Sequence, residues 1–212
     1  MDSRIKAVMN FVRAGSRVAD VGADHGYLSI ELIKNNLASK VIATEKNLHP
    51  FEALSKNISG VNGIEARLGD GLQVLSAGEV DTICIAGMGG GLMIKILEES
   101  PEVVQGARRL IFQPMNDTKK IREYLAGKNF TIIDEDLAES AGIIYEIICA
   151  EKNSTPEEIF KRDSSPLLKK FRIQRLEKLQ KVFLEMGKSS SARSSEKYSA
   201  LSAEIDTLRR LC

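Results

Sequence analysis

The sequence of 212 residues predicts an α/β fold, a mostly parallel sheet that ends in an antiparallel hairpin, followed by an α-helical hairpin. Three observations predict it. Short β-branched runs alternate with amphipathic stretches from Arg17 onward, the last two runs are separated only by Ser140-Ala141-Gly142, and the chain changes character after Lys152. Alternating strand and helix patterns belong to parallel strands joined by crossover helices, and a short Gly-containing connection to a hairpin.

The runs are, in order, RVADVG, KVIATE, GIEARLG, VDTICIAG, RRLIFQP, FTIIDEDLAE and IIYEIICAE. Amphipathic segments are expected between the first five, as at Leu28, Leu32 and Ile33 or at Leu92, Met93, Ile96 and Leu97. With 43% hydrophobic residues the chain supports one core of ordinary domain size and an appendage. Cys84 and Cys149 lie in apolar strand-like runs and Cys212 stands apart, a pattern of buried thiols and not of a disulfide frame or a metal site. No apolar run approaches the ~20 residues of a membrane span, and MDSRIKAVMNFVRAG is amphipathic with internal charges, unlike a secretory leader. A cytoplasmic location is expected.

Net charge is +1, but it is unevenly spread. Residues 1–154 carry 17 Lys and Arg against 21 Asp and Glu, whereas residues 155–212 carry 13 against 8. A basic module of residues 155–212 is thus expected on an acidic body of residues 1–154. The segment NSTPEE carries helix-opening signals, and Ser164-Ser165-Pro166 restarts a helical pattern that ends near Gly187. Apolar spacing at Leu176, Leu179, Phe183 and Met186, and after KSSSARSS at Tyr198, Leu201, Ile205, Leu208 and Cys212, predicts an antiparallel hairpin of coiled-coil type. Its outer face would carry Lys169, Lys170, Arg172, Arg175, Lys178 and Lys181, either as a phosphate-binding surface or as a solvated face on a helix that packs on itself or a second copy. A monomer or weak homodimer is expected.

In open α/β sheets, ligands bind beyond the carboxyl ends of the strands. After the first strand the chain reads Asp20-Val21-Gly22-Ala23-Asp24-His25-Gly26-Tyr27, which is not the G-x-G-x-x-G of dinucleotide sites. Asp20 and Asp24 would repel a diphosphate and attract a sulfonium and an ammonium, which points to S-adenosylmethionine. Glu45, followed by Lys46, lies 23 residues after Gly22. That is close to the ~20-residue offset at which an acid accepts both ribose hydroxyls. The third run ends in Gly69-Asp70-Gly71, where Asp70 either meets the adenine amino group or caps a helix starting at Leu72. The fourth runs through Ala86 into Gly87-Met88-Gly89-Gly90-Gly91, which lacks the Lys of a phosphate loop. Such a turn lets backbone approach a flat ligand, or simply packs a helix closely. His25 is either a pocket residue or a stiffener of the turn, and Tyr27 either a pocket residue or core packing beneath it.

Together VADVGADHGYLSIELI, TEKN, ARLGDGL, ICIAGMGGGLMIKIL, LIFQP and YEII resemble the bacterial tRNA (adenine-22-N1)-methyltransferase family across essentially the whole chain. The resemblance implies a Rossmann-like class I methyltransferase domain, a C-terminal coiled-coil domain, S-adenosylmethionine as methyl donor and a tRNA adenine N1 as acceptor. The family pattern Gln-Pro-Asn is displaced here, since Gln113-Pro114 is followed by Met115-Asn116. Adenine N1 has an in-plane lone pair and needs no strong base, so orientation is the main requirement. Asp24 and the backbone of Gly87, Met88 and Gly89 are the candidates beside the transferred methyl. A small-metabolite methyltransferase and a non-catalytic cofactor-binding protein are the competing readings.

Overall fold

The computed structural model describes residues 2–212. The chain divides into two compact units, the first reaching Lys161 and the second spanning Arg162–Cys212. In the first, seven strands form one sheet in the order β3-β2-β1-β4-β5-β7-β6. They are β1 (Ser16–Val21), β2 (Ala38–Glu45), β3 (Ile64–Leu68), β4 (Thr82–Gly89), β5 (Arg109–Asn116), β6 (Phe130–Ser140) and β7 (Ile143–Lys152). The first five are parallel, and β7 runs antiparallel to both β5 and β6. Every expected strand is present, and the last two form the expected hairpin, whose turn places Ala141 and Gly142 at positive φ. The order reverses between β1 and β4, which are paired through Ala19 with Ile83 and Asp20 with Cys84. Their loops diverge there and leave a crevice at the carboxyl ends.

Helices cover both faces: α1 (Ser3–Met9), α2 (Tyr27–Lys34) and α3 (Leu48–Asn57) on one, and α4 (Gly90–Glu98), α5 (Pro101–Gly106) and α6 (Thr118–Ala126) on the other. The division follows strand alternation. Val18, Cys84, Ile111 and Cys149 face a core with Val8, Phe11, Leu28 and Leu32, while Ala19, Ile83, Leu110 and Phe112 face one with Met93, Leu97, Ile121 and Leu125. Both strand cysteines are buried and unbridged, and burial raises the Cys149 thiol pKa to about 12.

Two local expectations fail. No helix joins β3 to β4: Gly71 takes φ +57° and Gly78 +82°, and the connection is a series of turns that drives Leu72 and Leu75 into the core. NSTPEE does not open a helix either. The ladder of β6 is irregular between Ile132 and Asp134, which leaves the Ile133 carbonyl to accept from Glu157 N at 2.8 Å. The Asp134 carboxylate then takes both the backbone N–H (2.8 Å) and the ammonium of Lys161. An extended segment moored on a sheet replaces a helix too short to stand alone.

The second unit contains α7 (Leu168–Met186), α8 (Ser190–Arg193) and α9 (Glu196–Leu211). Pairing of Arg175 with Glu204, stacking of Phe183 on Tyr198 at 4.2 Å and donation from Arg172 to the Leu211 carbonyl set α7 and α9 antiparallel. Leu201, Ile205 and Leu208 are buried, and Ser195 caps α9 by accepting from Tyr198 N. The polar connection holds the short α8, and Cys212 is exposed, so the apolar seam ends at Leu208. Arg172 and Arg175 turn toward α9 instead of the expected outer face, because Arg172 shares the i, i+4, i+7 row of Leu176 and Leu179. Lys169, Lys170, Lys178 and Lys181 are exposed.

Candidate active site

The turn after β1 is built on three left-handed residues, Gly22 (φ +69°), Asp24 (+51°) and Gly26 (+73°), an arrangement in which glycine carries no Cβ penalty and Asp is tolerated. Gly22 N and Ala23 N both donate to the Thr44 carbonyl, at 2.9 and 3.0 Å, tying this turn to the end of β2. Gly26 is the N-cap residue of α2. Asp20 is buried beneath the turn and accepts from the Ser29 hydroxyl at 2.6 Å. Burial raises its pKa to about 6, partly opposed by the hydroxyl and backbone N–H of Ser29.

Two adjoining cavities open at the crevice, of about 200 and 330 Å³, with Val21, Gly22, Ala86 and Gly87 common to both linings. Asp20, Asp24, His25 and Tyr27 line the first, together with Gln113 and Arg4. Glu45, Lys46, Asp70, Gly71 and Met88 line the second, with Leu92 and Ile96. The sequence-derived residues therefore converge, apart from Gly26, Gly69 and Gly89, whose missing side chains answer to protein neighbours. A Cβ would meet Leu54 at 2.6 Å, Val74 at 2.0 Å and Asn116 at 3.0 Å, respectively. Gly87 differs. At φ +73° a Cβ there would meet nothing within 4 Å, so the chain withholds a side chain where the two cavities meet.

In the larger cavity Glu45 is buried and its Oε1 accepts from Asn47 N at 3.0 Å, which leaves Oε2 for a ligand hydroxyl. Asp70 pairs with Lys46, and this bond is the chief reason the Lys46 pKa is raised. Asp70 caps no helix, since none follows it. In the smaller cavity Asp24 is 67% exposed, with His25 Nε2 3.8 Å from its Oδ2. The turn is stiffened through the His25 carbonyl, which accepts from Asn57 Nδ2 at 3.1 Å, and the imidazole itself is half-exposed. Tyr27 is 58% exposed and not core packing, its ring 5.5 Å from that of His25. It shares the polar i, i+4, i+7 face of Glu31 and Lys34, a signal already present in the sequence.

Gln113 and Arg4 are among the lining residues that the sequence does not single out. Gln113 is buried, and its Oε1 accepts from Gly87 N at 3.2 Å, holding the turn at the junction. Register irregularities between β4 and β5 absorb the extra residue of Gln-Pro-Met-Asn: Met115 is exposed while Asn116 packs against Gly89. Arg4 arrives from α1, far away in the chain.

The donor set suits a ligand with a nucleoside and a cation-bearing tail: an acid for vicinal hydroxyls in one cavity, two carboxylates in the other, and a bare glycine between them. With the strand order, this defines a class I methyltransferase. Residues 1–148 match the family described as a methyltransferase domain. A curated tRNA (adenine(22)-N(1))-methyltransferase of Bacillus subtilis is 40% identical over 154 residues, which span 71% of this chain and 65% of that protein. The crystal structure of the B. subtilis M1A22 tRNA methyltransferase TrmK is similar with a TM-score of 0.84 and 29% identity, covering 99% of this chain and 97% of that one. The Streptococcus pneumoniae protein Sp1610, solved in complex with S-adenosyl-L-methionine, gives a TM-score of 0.83 and 31% identity, with 99% of each chain covered. The chain belongs to the tRNA (adenine(22)-N(1))-methyltransferase family.

Proposed function

We propose that this protein methylates N1 of adenine 22 in tRNA with S-adenosylmethionine as donor, in the cytoplasm, as a monomer or weak homodimer. The observation that carries the reading is the pair of cavities meeting at Gly22 and Gly87, with Glu45 and Asp70 on one side and Asp20 and Asp24 on the other. Bound there, S-adenosylmethionine supplies a methyl group activated by a sulfonium. Glu45 accepts the ribose hydroxyls, and Asp70 accepts the adenine amino group, sharing its carboxylate with Lys46. Asp20 and Asp24 favour the cationic end. The Gly87 to Gly89 backbone, held by Gln113, borders the transferred methyl.

The acceptor adenine needs no base, because N1 attacks through its in-plane lone pair. It does need to leave its stack, and an open entrance accommodates that. Of the exposed apolar side chains, Tyr27 and Leu92 line the cavities, and Leu48, Leu68 and Met115 lie at or just beyond the carboxyl ends of β2, β3 and β5. This open apolar rim favours a splayed nucleotide of a large substrate over a metabolite enclosed by a lid. The hairpin of α7 and α9, which we read as a short coiled coil, would offer Lys169, Lys170, Lys178 and Lys181 to phosphates, with Arg172 and Arg175 contributing from its α9 side.

Unmodified tRNA incubated with labelled S-adenosylmethionine and digested to nucleosides tests the proposal. Label in 1-methyladenosine, mapped to position 22 by a reverse-transcription stop, is the expected result. Label in another nucleoside, or in a small-molecule extract alone, overturns it.

A further inference from the structure

We propose that Arg13 and Arg108, at the amino edge of the sheet, clamp a backbone phosphate of the tRNA whose adenine enters the crevice at the opposite edge; the assignment rests on the tRNA reading above. Strand β1 has 6 residues, so the two edges lie about 20 Å apart at ~3.3 Å per residue. A double-helical arm carries phosphates all along its axis, so some stand at that distance from the extruded base. Basic side chains on α1 and the turn after it mark the way between the edges: Arg4 lines the smaller cavity, Lys6 is exposed, and Arg13 reaches Glu151.

The buried carboxylate of Glu151, at the end of β7, gathers three guanidinium groups. Arg109, itself buried, donates to Oε2 at 2.8 Å and to the Phe11 carbonyl. Arg13 Nη2 donates to the same carboxylate oxygen at 3.0 Å, and Arg108 Nε pairs with Oε1. Arg109 alone neutralises this acid. The other two leave a surplus of two positive charges, whose repulsion and lost side-chain freedom are offset by nothing else at this edge. Asp81, whose carbonyl accepts from Arg108 N and Arg109 N, gives its own carboxylate to Arg17. Lys152 adds a further charge and turns its ammonium to the Val104 and Gln105 carbonyls of α5. The side chains of Arg13 and Arg108 are 53% and 63% exposed. Among the described residues, Nε and Nη1 of Arg13 and both terminal nitrogens of Arg108 make no hydrogen bond. Two guanidinium forks anchored on the two oxygens of one carboxylate, each with donors to spare, match the oxygens of a phosphate. Glu151 and Arg109 act as positioning residues, holding two long side chains whose ordering would otherwise cost entropy on binding.

Filter binding of unmodified tRNA to the full chain over a range of salt tests the assignment, comparing the wild type with the double variant Arg13→Gln, Arg108→Gln and with Arg17→Gln on the same edge. The double variant should bind about 10-fold more weakly. Its salt dependence should flatten by roughly 0.7 to 0.9 in logarithmic slope, the share of one phosphate. Arg17→Gln should do neither. Calorimetric affinity for S-adenosylmethionine and the melting temperature should hold in the double variant, because Arg109 still neutralises Glu151. If that variant does not fold, Arg13→Lys with Arg108→Lys carries the test: it should keep the slope and lose part of the affinity, since the charges remain and the forks do not. Unchanged affinity and slope overturn the assignment, even where inorganic phosphate raises the melting temperature of the wild type alone, a result that gives the pair to a free anion. An equal loss in Arg17→Gln, or a loss matched by weaker cofactor binding, overturns it as well. If the wild type binds S-adenosylmethionine and no tRNA, the tRNA reading falls and takes this assignment with it.

Discussion

Asp20→Asn should make the ligand-free protein more stable while weakening its hold on the cofactor. The carboxyl is fully enclosed, and burial raises its pKa from the ordinary 3.8 to about 6. That gap corresponds to about 3 kcal/mol. Because the folded-state pKa is the raised one, the contribution is fully present below pH 3.8 and is lost as pH rises through about 6. At pH 8 the wild type therefore carries the whole cost of an ionised, buried carboxylate. Asparagine has the same shape, keeps an oxygen that accepts from the Ser29 hydroxyl and does not ionise. Urea unfolding of both proteins from pH 4 to pH 8 should give stability curves that nearly coincide at the acid end and separate toward a plateau of up to about 3 kcal/mol in favour of the variant.

The same substitution should reduce affinity for S-adenosylmethionine and remove its rise with pH near 6, since a cationic ligand favours the ionised form of Asp20. Titration calorimetry in two buffers near pH 6 should detect protons released on binding by the wild type and not by the variant. A variant less stable than the wild type at pH 8, or a stability difference independent of pH, would refute the reasoning. This opposition of stability and binding is the expected signature of a residue kept for its ligand.

Two further substitutions examine the entrance and the helical unit. Asp24→Asn keeps a residue that tolerates φ +51°, so the melting temperature should hold, while kcat falls by about 100-fold if the carboxylate stabilises charge developing on the methylated ring; full turnover in a quench-flow assay removes that role. Replacing Lys169, Lys170, Lys178 and Lys181 together by Gln should weaken tRNA binding and flatten its dependence on salt by roughly 0.7 to 0.9 in logarithmic slope for each phosphate no longer neutralised. An unchanged slope in filter-binding measurements assigns those lysines to solvation alone.

The strands were legible because each is a local run of β-branched residues, and the acids at their ends because each follows its run directly at the carboxyl edge. What escaped depended on partners far away in the chain. The helix-opening signals of NSTPEE are sound locally, but they compete with the Ile133 carbonyl and the Asp134 carboxylate on β6, which take Glu157 N and Lys161. Leu72 and Leu75 have helical spacing, yet the left-handed turns at Gly71 and Gly78 interrupt any helix around them. Gln113 reads as an ordinary strand residue until β5 is laid beside β4, where its amide meets Gly87 N. Arg4 precedes every motif and joins the crevice lining only when α1 docks against the β6–β7 hairpin. The exposure of Tyr27 and the inward turn of Arg172 were, by contrast, legible, since each shares a helical row with residues whose environment the pattern had already assigned.

The electrostatics of the site follow from one property of the proposed reaction. Methyl transfer to adenine N1 moves a positive charge from donor to base and creates none, so the best pocket is acidic on both sides of the transfer. Asp20 lies deep and 5% exposed, and Asp24 lies at the entrance, 67% exposed at its side chain. An acid equally near the charge before and after transfer contributes to binding and little to rate, whereas one nearer its destination lowers the barrier. On the proposed reading, Asp20, buried beside Ser29, takes the first role, and Asp24, in the left-handed turn at the entrance, takes the second. On that reading an acid at the end of β1 and an acid in the turn after it would separate affinity from turnover, and the contrast between Asp20→Asn and Asp24→Asn would measure that separation directly.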